Sequence, residues 1–150
     1  MWLKIYTRKA DYYENRKKEL DEQTEELIEE EFSKYEKLHN VSCNYTPYSF
    51  VAYEDENVMG VITGYTCYEE IYIDDVIVID KYRGNDIGSK LVKEVEDYFK
   101  GKGFNNINLC TSEFQAPKFY EKCGYQLEFV RKNVNNPKLN KYFYVKYLGE

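Results

Sequence analysis

The apolar positions change period several times along the chain, and each period predicts an element. From about Asp11 to His39, Tyr13, Leu20, Leu27, Ile28, Phe32, Tyr35 and Leu38 recur at threes, fours and sevens with charge between them. That is the spacing of a helix stripe, as one long helix or as two with a break near Asp21 to Thr24. Before it, "WLKIY" reads as a first strand. "YSFVAYEDENVMGVITGYT" predicts a hairpin: a strand from about Tyr48, a polar turn at Glu54 to Asn57, and a return strand from Val58. "IYIDDVIVID" is nearly continuous in β-branched residues, as expected of a central strand buried on both faces. Ile87, Leu91, Val92, Val95, Tyr98 and Phe99 form the stripe of a second helical region, closed by Gly101 and Gly103. "NNINLCT" is a short strand, and "APKFYEKCG" a helix of two turns with Pro117 in its first turn and Gly124 at its cap. "YQLEFVRKN" and "NKYFYVKYLG" are final strands joined through Asn135 to Lys138. The order predicts a mixed α/β domain with strand–helix–strand units at its centre.

Composition narrows the class. A chain of 150 residues, 43% apolar and 32% charged, reads as one ordinary globular domain over residues 1–150. "MWLKIYTRKA" lacks the apolar core of a signal peptide, and no run approaches the roughly 18 apolar residues of a membrane span. Cys43, Cys67, Cys110 and Cys123 are widely spaced with no CxxC pair, so they are expected to be buried reduced thiols rather than a disulfide framework or a zinc site. The single histidine, His39, leaves no histidine-rich metal site and reads as a helix C-terminal residue. A cytoplasmic, membrane-free protein without a metal is expected. The net charge is −6, and the stretch from Ala10 to His39, with eleven acids and five bases, carries all of it. A nucleic-acid face would need the opposite sign. A solvated helix face explains the charge, and a cationic small molecule or peptide amine is compatible with it.

The candidate chemistry starts at "DKYRGNDIGSKLV", Asp80 to Val92. An arginine and two glycines lie between a strand pattern and a helix pattern. Successive backbone N–H groups running into a helix N-terminus make an anion site, and glycine lets the backbone approach a phosphate closely. The same residues also fit a plain turn, with the Asp86 side chain capping the helix at Gly88 or Ser89.

With "QAPKFYEKCGY" following at the right distance, the chain resembles the GNAT family of N-acetyltransferases along nearly its whole length. The family's loop pattern is Arg or Gln, two residues, Gly, one residue, then Gly or Ala. Here it reads Arg83, Gly84, Asn85, Asp86, Ile87, Gly88, with Asp86 in place of the middle glycine. "FYEKCGY" is similar to the family's "YEKLGF" close, and the "QAP" start to a subgroup with poorly defined substrates. The resemblance implies a twisted mixed sheet of about seven strands with helices on both faces. It also implies acetyl-CoA (coenzyme A) as cofactor, its pyrophosphate over Arg83 to Ser89 with Lys90 beside them. Val76, Ile77, Val78 and Ile79, on the family's fourth strand, would offer backbone groups to the pantetheine arm and one N–H to the thioester oxygen. Thr111 and Gln115 would be pantetheine neighbours; the family often has asparagine where Glu113 stands. Tyr120 would be the acid that protonates the leaving thiolate. Asp74 is the favoured base, and alternation puts it on the face of Val76 and Val78, with Asp75 on the other. The acceptor would be an amine of a small molecule or, alternatively, of a peptide or protein. A non-catalytic acyl-CoA-binding regulatory module and a cofactor-free interaction domain stay open. Dimers are common in the family, but no residue here fixes one. A carboxylate at Asp86 about 7 Å from a phosphate, at an effective dielectric of about 40, costs on the order of 1 kcal/mol. That weakens binding about fivefold and does not abolish it.

Overall fold

The computed structural model describes residues 16–149. The expected first strand and Trp2, and the start of the first helical pattern, lie outside these residues. The chain divides after Asn40 into two compact units, each considered by itself.

In the first unit, helix α1 spans Glu22–His39. It begins where the sequence pattern allowed a break. The Asp21 carboxylate accepts from the Thr24 N–H at 2.9 Å and from the Thr24 hydroxyl at 2.6 Å, and Lys18 donates to it at 2.7 Å. Lys18 first, then Thr24, hold the Asp21 carboxyl down at about 2. Asn40, left-handed at φ 54°, ends the helix. His39 sits in the last turn with its ring 4.5 Å from that of Tyr35.

The second unit is a six-stranded sheet among the described residues. Its strands are β1 (Thr46–Glu54), β2 (Asn57–Cys67), β3 (Glu70–Val78), β4 (Asn106–Ser112), β5 (Gln126–Arg131) and β6 (Lys141–Tyr147). They lie in the order β1-β2-β3-β4-β6-β5. Only β3 and β4 pair in parallel, joined by helix α2 (Ile87–Phe99); helix α3 (Pro117–Lys122) joins β4 to β5. The mixed α/β class is as expected, with six strands described where about seven were expected. Leu91, Val92, Val95 and Phe99 of α2 pack with Ile62, Ile71, Ile73, Ile107 and Leu109 of the sheet and with Tyr120 and Tyr144. Burying each such aliphatic or aromatic side chain stabilises the fold by about 1.5–3 kcal/mol, which fixes α2 and therefore the loop at its start.

Three expectations change. First, the cysteines are not all buried thiols. Cys43 and Cys67 form a disulfide that closes the open end of the β1–β2 hairpin, Cys110 is exposed, and Cys123 is half-buried. The two bonded residues are 24 apart in sequence, so local spacing carried no sign of their meeting.

Second, β3 is not buried on both faces. Asp74 and Asp75 are exposed, and Ile77 is 55% exposed. The reason is its neighbour: β4 pairs with β3 only from Glu70↔Asn106 to Ile73↔Leu109, whereas β2 pairs with it as far as Gly60↔Val78. Third, alternation breaks at Asp74. Thr63 faces Asp75 and Gly64 faces Ile73, which leaves Asp74 as an extra residue in the ladder. Ile71 and Ile73, then Val76 and Val78, therefore pack on one core, with both aspartates between them. Asp74 does not share the face of Val76 and Val78 by simple counting.

Gly64, beside this bulge, is required. A Cβ there would lie 1.9 Å from the Tyr72 carbonyl oxygen and 2.5 Å from the Tyr48 hydroxyl. That hydroxyl crosses the glycine to donate to the Tyr72 carbonyl at 2.9 Å.

Candidate active site

The loop after β3 is built by local bonds. The Ile79 N–H donates to the Met59 carbonyl at 2.8 Å, and a short 3-10 turn, Asp80–Tyr82, follows. Tyr82 is buried and donates its hydroxyl to Glu54 at 3.0 Å, tying the loop to the hairpin tip. The Arg83 side chain folds back: Nε donates to the Val78 carbonyl at 3.1 Å, and Nη1 pairs with Asp80 at 3.0 Å. It pins the loop to the strand end. The Asn85 amide donates to the Tyr82 carbonyl at 3.2 Å.

Gly84 has φ 80° and Asp86 φ 59°, both left-handed. The Asp86 side chain makes no cap bond and is exposed, so the simple capped turn is not formed. Its carbonyl instead accepts from the Lys90 N–H and the Ser89 hydroxyl, each at 3.0 Å. Among the described residues, no acceptor meets the N–H groups from Gly84 to Ser89. This row of donors, at the positive end of α2, fits a phosphate group.

The row opens on a cleft of about 710 Å³, lined by Val78, Arg83, Gly84, Asp86, Ile87, Gly88 and Ser89 on one side and by Phe119, Lys122 and Cys123 on the other. Val92, Lys93, Glu96 and Lys146 complete it with Tyr82. Such a volume is typical of a small-molecule site. A Cβ on Gly88 would meet the Phe119 ring at 3.2 Å and Val78 at 3.6 Å, so the start of α2, the end of β3 and α3 converge here.

Where β4 leaves β3, no described strand pairs with β3 on that side, and only the Val78 carbonyl there is taken, by Arg83 Nε. Ile79 already bonds toward β2, and the two-residue alternation of an antiparallel ladder turns Ile77 the same way. Val76 and Val78 therefore turn their N–H groups to the open side. Of the four strand residues expected to offer backbone groups, these two are free to do so.

Tyr120 is buried in α3, with ring contacts to Phe119, Tyr125 and Tyr144 at 5.0, 6.1 and 6.2 Å. Burial, then the Cys123 thiol and the charge of Asp75, push its hydroxyl up to about 12. The acid that Tyr120 feels is thus Asp75, whereas Asp74 acts on Tyr48 and Tyr65. Partial burial, then Asp75, raise the Asp74 carboxyl above its ordinary range.

Of the expected cofactor residues, Val76, Ile77, Ile79, Asn85, Lys90, Thr111 and Gln115 do not line this cleft. Lys90 is exposed and lies beside Phe50 and Leu91 in a separate hollow. Thr111 is buried, and Gln115 closes the turn after β4 by accepting from the Ser112 N–H at 2.8 Å. Gln115 lines another hollow with Glu113, and Glu113 accepts the Tyr142 hydroxyl. Sequence reasoning passed over Phe119, Glu96, Cys123 and Lys146. Phe119 stands inside the recognised "FYEKCGY", whereas Glu96 and Lys146 meet across 50 residues with no motif to mark them.

Residues 3–125 match the sequence profile of the acetyltransferase (GNAT) family. The chain belongs to this family, whose donor is acetyl-CoA. Among solved structures, an acetyltransferase from Bacillus cereus ATCC 14579 superposes with a TM-score of 0.74 at 27% identity, over 89% of this chain and 98% of that one. An acetyltransferase from Bacillus anthracis str. Ames, solved in complex with acetyl coenzyme A, shares the fold at a TM-score of 0.59 and 23% identity, over 69% of this chain and 63% of that one. A curated relative, glucosamine 6-phosphate N-acetyltransferase of Arabidopsis thaliana, is 37% identical over 59 residues, 39% of this chain and 38% of the relative. The chain thus matches well under half the length of that relative. Among the described residues of this GNAT chain, no helix is long and apolar enough to cross a membrane.

Proposed function

We propose that the protein is an N-acetyltransferase that moves the acetyl group of acetyl-CoA to a primary amine of a small molecule, by direct attack in a ternary complex. The observation that carries this reading is the row of unpartnered N–H groups from Gly84 to Ser89 opening on the cleft that Phe119 and Gly88 share. The row holds the pyrophosphate, with Arg83 keeping the loop in place. The Val76 and Val78 N–H groups, on the side vacated by β4, serve the pantetheine arm and the thioester oxygen. Tyr120, kept protonated by its raised pKa, donates its proton to the departing thiolate. Asp74, whose carboxyl is raised, takes the proton from the amine.

The curated relatives act on glucosamine 6-phosphate, which supports a small-molecule amine as acceptor. The "QAP" start and "FYEKCGY" close of α3 support a place in the subgroup that carries that motif. The test is thiol release from acetyl-CoA with glucosamine 6-phosphate, spermidine, an aminoglycoside and a short peptide, beside calorimetry of coenzyme A. Release with one of the first three supports the proposal. Release with the peptide alone moves the acceptor class, binding without release identifies a regulatory module, and no binding sinks the reading.

A further inference from the structure

We infer that Lys146 and Glu96 are positioning residues that set where Tyr120 stands, an inference that rests on the acid role proposed for Tyr120. Helix α3 has six residues, too few to persist on its own. Its C-terminal carbonyls need partners. Lys146, on β6, donates to the Cys123 carbonyl at 3.0 Å just past the helix end. The same ammonium donates to both Glu96 oxygens on α2, at 2.9 and 3.0 Å. One cation thus ties α3 to the helix whose first turn carries the N–H row.

Two residues earlier on β6, the Tyr144 hydroxyl donates to Glu121 at 2.8 Å. Tyr120 precedes Glu121, so its turn of helix is gripped from β6 at two points. The pair is largely buried, Lys146 being 31% and Glu96 19% exposed in their side chains. Desolvation offsets most of the attraction in such a pair, so its net stabilisation is small. Three directed bonds on one ammonium instead restrict geometry. Lys146, Glu96 and Cys123 line the same cleft as the loop. A displacement of about 1 Å in such a site can cost about 100-fold in rate.

The test is a double-mutant cycle in the full chain, with whichever of the four acceptors turns over. Lys146→Met should lower kcat about tenfold while changing KM for acetyl-CoA by less than about threefold. In a Tyr120→Phe background, the same change should cost less than about twofold, because the group it positions is gone. Lys146→Arg should restore most of the rate, and Glu96→Gln should reproduce the loss if Lys146→Met fails to fold. Equal losses in both backgrounds, or a loss confined to KM, would overturn the inference and leave the acid role intact. Full activity of Tyr120→Phe would remove the acid role itself. If no acceptor turns over, ring-labelled tyrosine spectra decide: the Tyr120 signal, assigned by its loss in Tyr120→Phe, should move in Lys146→Met and return in Lys146→Arg. An unmoved signal overturns the clamp.

Discussion

Gly88 and Phe119 are in direct apposition: a Cβ on Gly88 would stand 3.2 Å from the tip of the Phe119 ring. Gly88 is the second residue of α2 and has no positive φ, so alanine suits its backbone. Gly88→Ala should leave thermal stability within about 1 kcal/mol, because the helix-propensity gain offsets the crowding. It should nonetheless weaken coenzyme A binding several-fold, since the ring must shift into the cleft. Calorimetry on the folded variant checks this; Gly84→Ala, with φ 80° and no neighbour within 4 Å, should act through backbone strain instead.

Asp86 sits left-handed, exposed and without a cap bond. Asp86→Gly should therefore lose no hydrogen bond of the side chain, relieve the left-handed residue, and remove a negative charge near the phosphate site. Coenzyme A binding should tighten about fivefold, the fold-change of roughly 1 kcal/mol. Calorimetry showing no change or a loss would count against phosphate binding at the loop.

Tyr120→Phe removes one hydroxyl from a ring whose packing stays. Turnover should fall about 100-fold, a typical share for a general acid, with coenzyme A affinity nearly unchanged. Steady-state kinetics beside calorimetry separate the two effects.

The Asp74 carboxyl is raised by partial burial and then by the charge of Asp75. A base must be ionised, so the acid limb of the rate should lie above the ordinary carboxylate range. Asp75→Asn removes a raising cause and should shift that limb to lower pH. It should not create a basic limb from Tyr120, whose hydroxyl stands at about 12 before the charge is removed. A pH–rate profile whose acid limb stays in place would exclude Asp74 as the base.

The Cys43–Cys67 bond closes a loop of 24 residues' separation. Its reduction, or the Cys43→Ser change, should lower stability by about 3 kcal/mol through the freed unfolded chain. Thermal melts with and without reductant test this directly.

What could be read in advance was local. The Arg83-to-Ser89 loop, the α2 stripe and the position of Tyr120 each depend on residues within one or two turns of chain. Pro117 and Gly124 also bound α3 as their chemistry requires, at N1 and at φ 87°. What escaped depends on distant pairings. The extra residue at Asp74 exists only because β2 keeps its own register, with Gly64 giving Tyr48 passage. The point where β4 departs is set by its partnership with β6, which runs from Asn106↔Tyr147 to Ser112↔Lys141. The Lys146–Glu96 pair and the disulfide likewise join residues whose sequence neighbours say nothing of one another.

Past Ile73, β3 is a cantilever that pairs, among the described strands, with β2 alone. Its free edge can receive a ligand arm because, among the described residues, only Arg83 at the Val78 carbonyl holds it there. The stiffness of that edge is then borrowed from the β1–β2 hairpin, and a fault there travels. Changes as remote from the loop as Gly64 or the hairpin disulfide should loosen the Val76 and Val78 N–H groups without touching any group in the cleft.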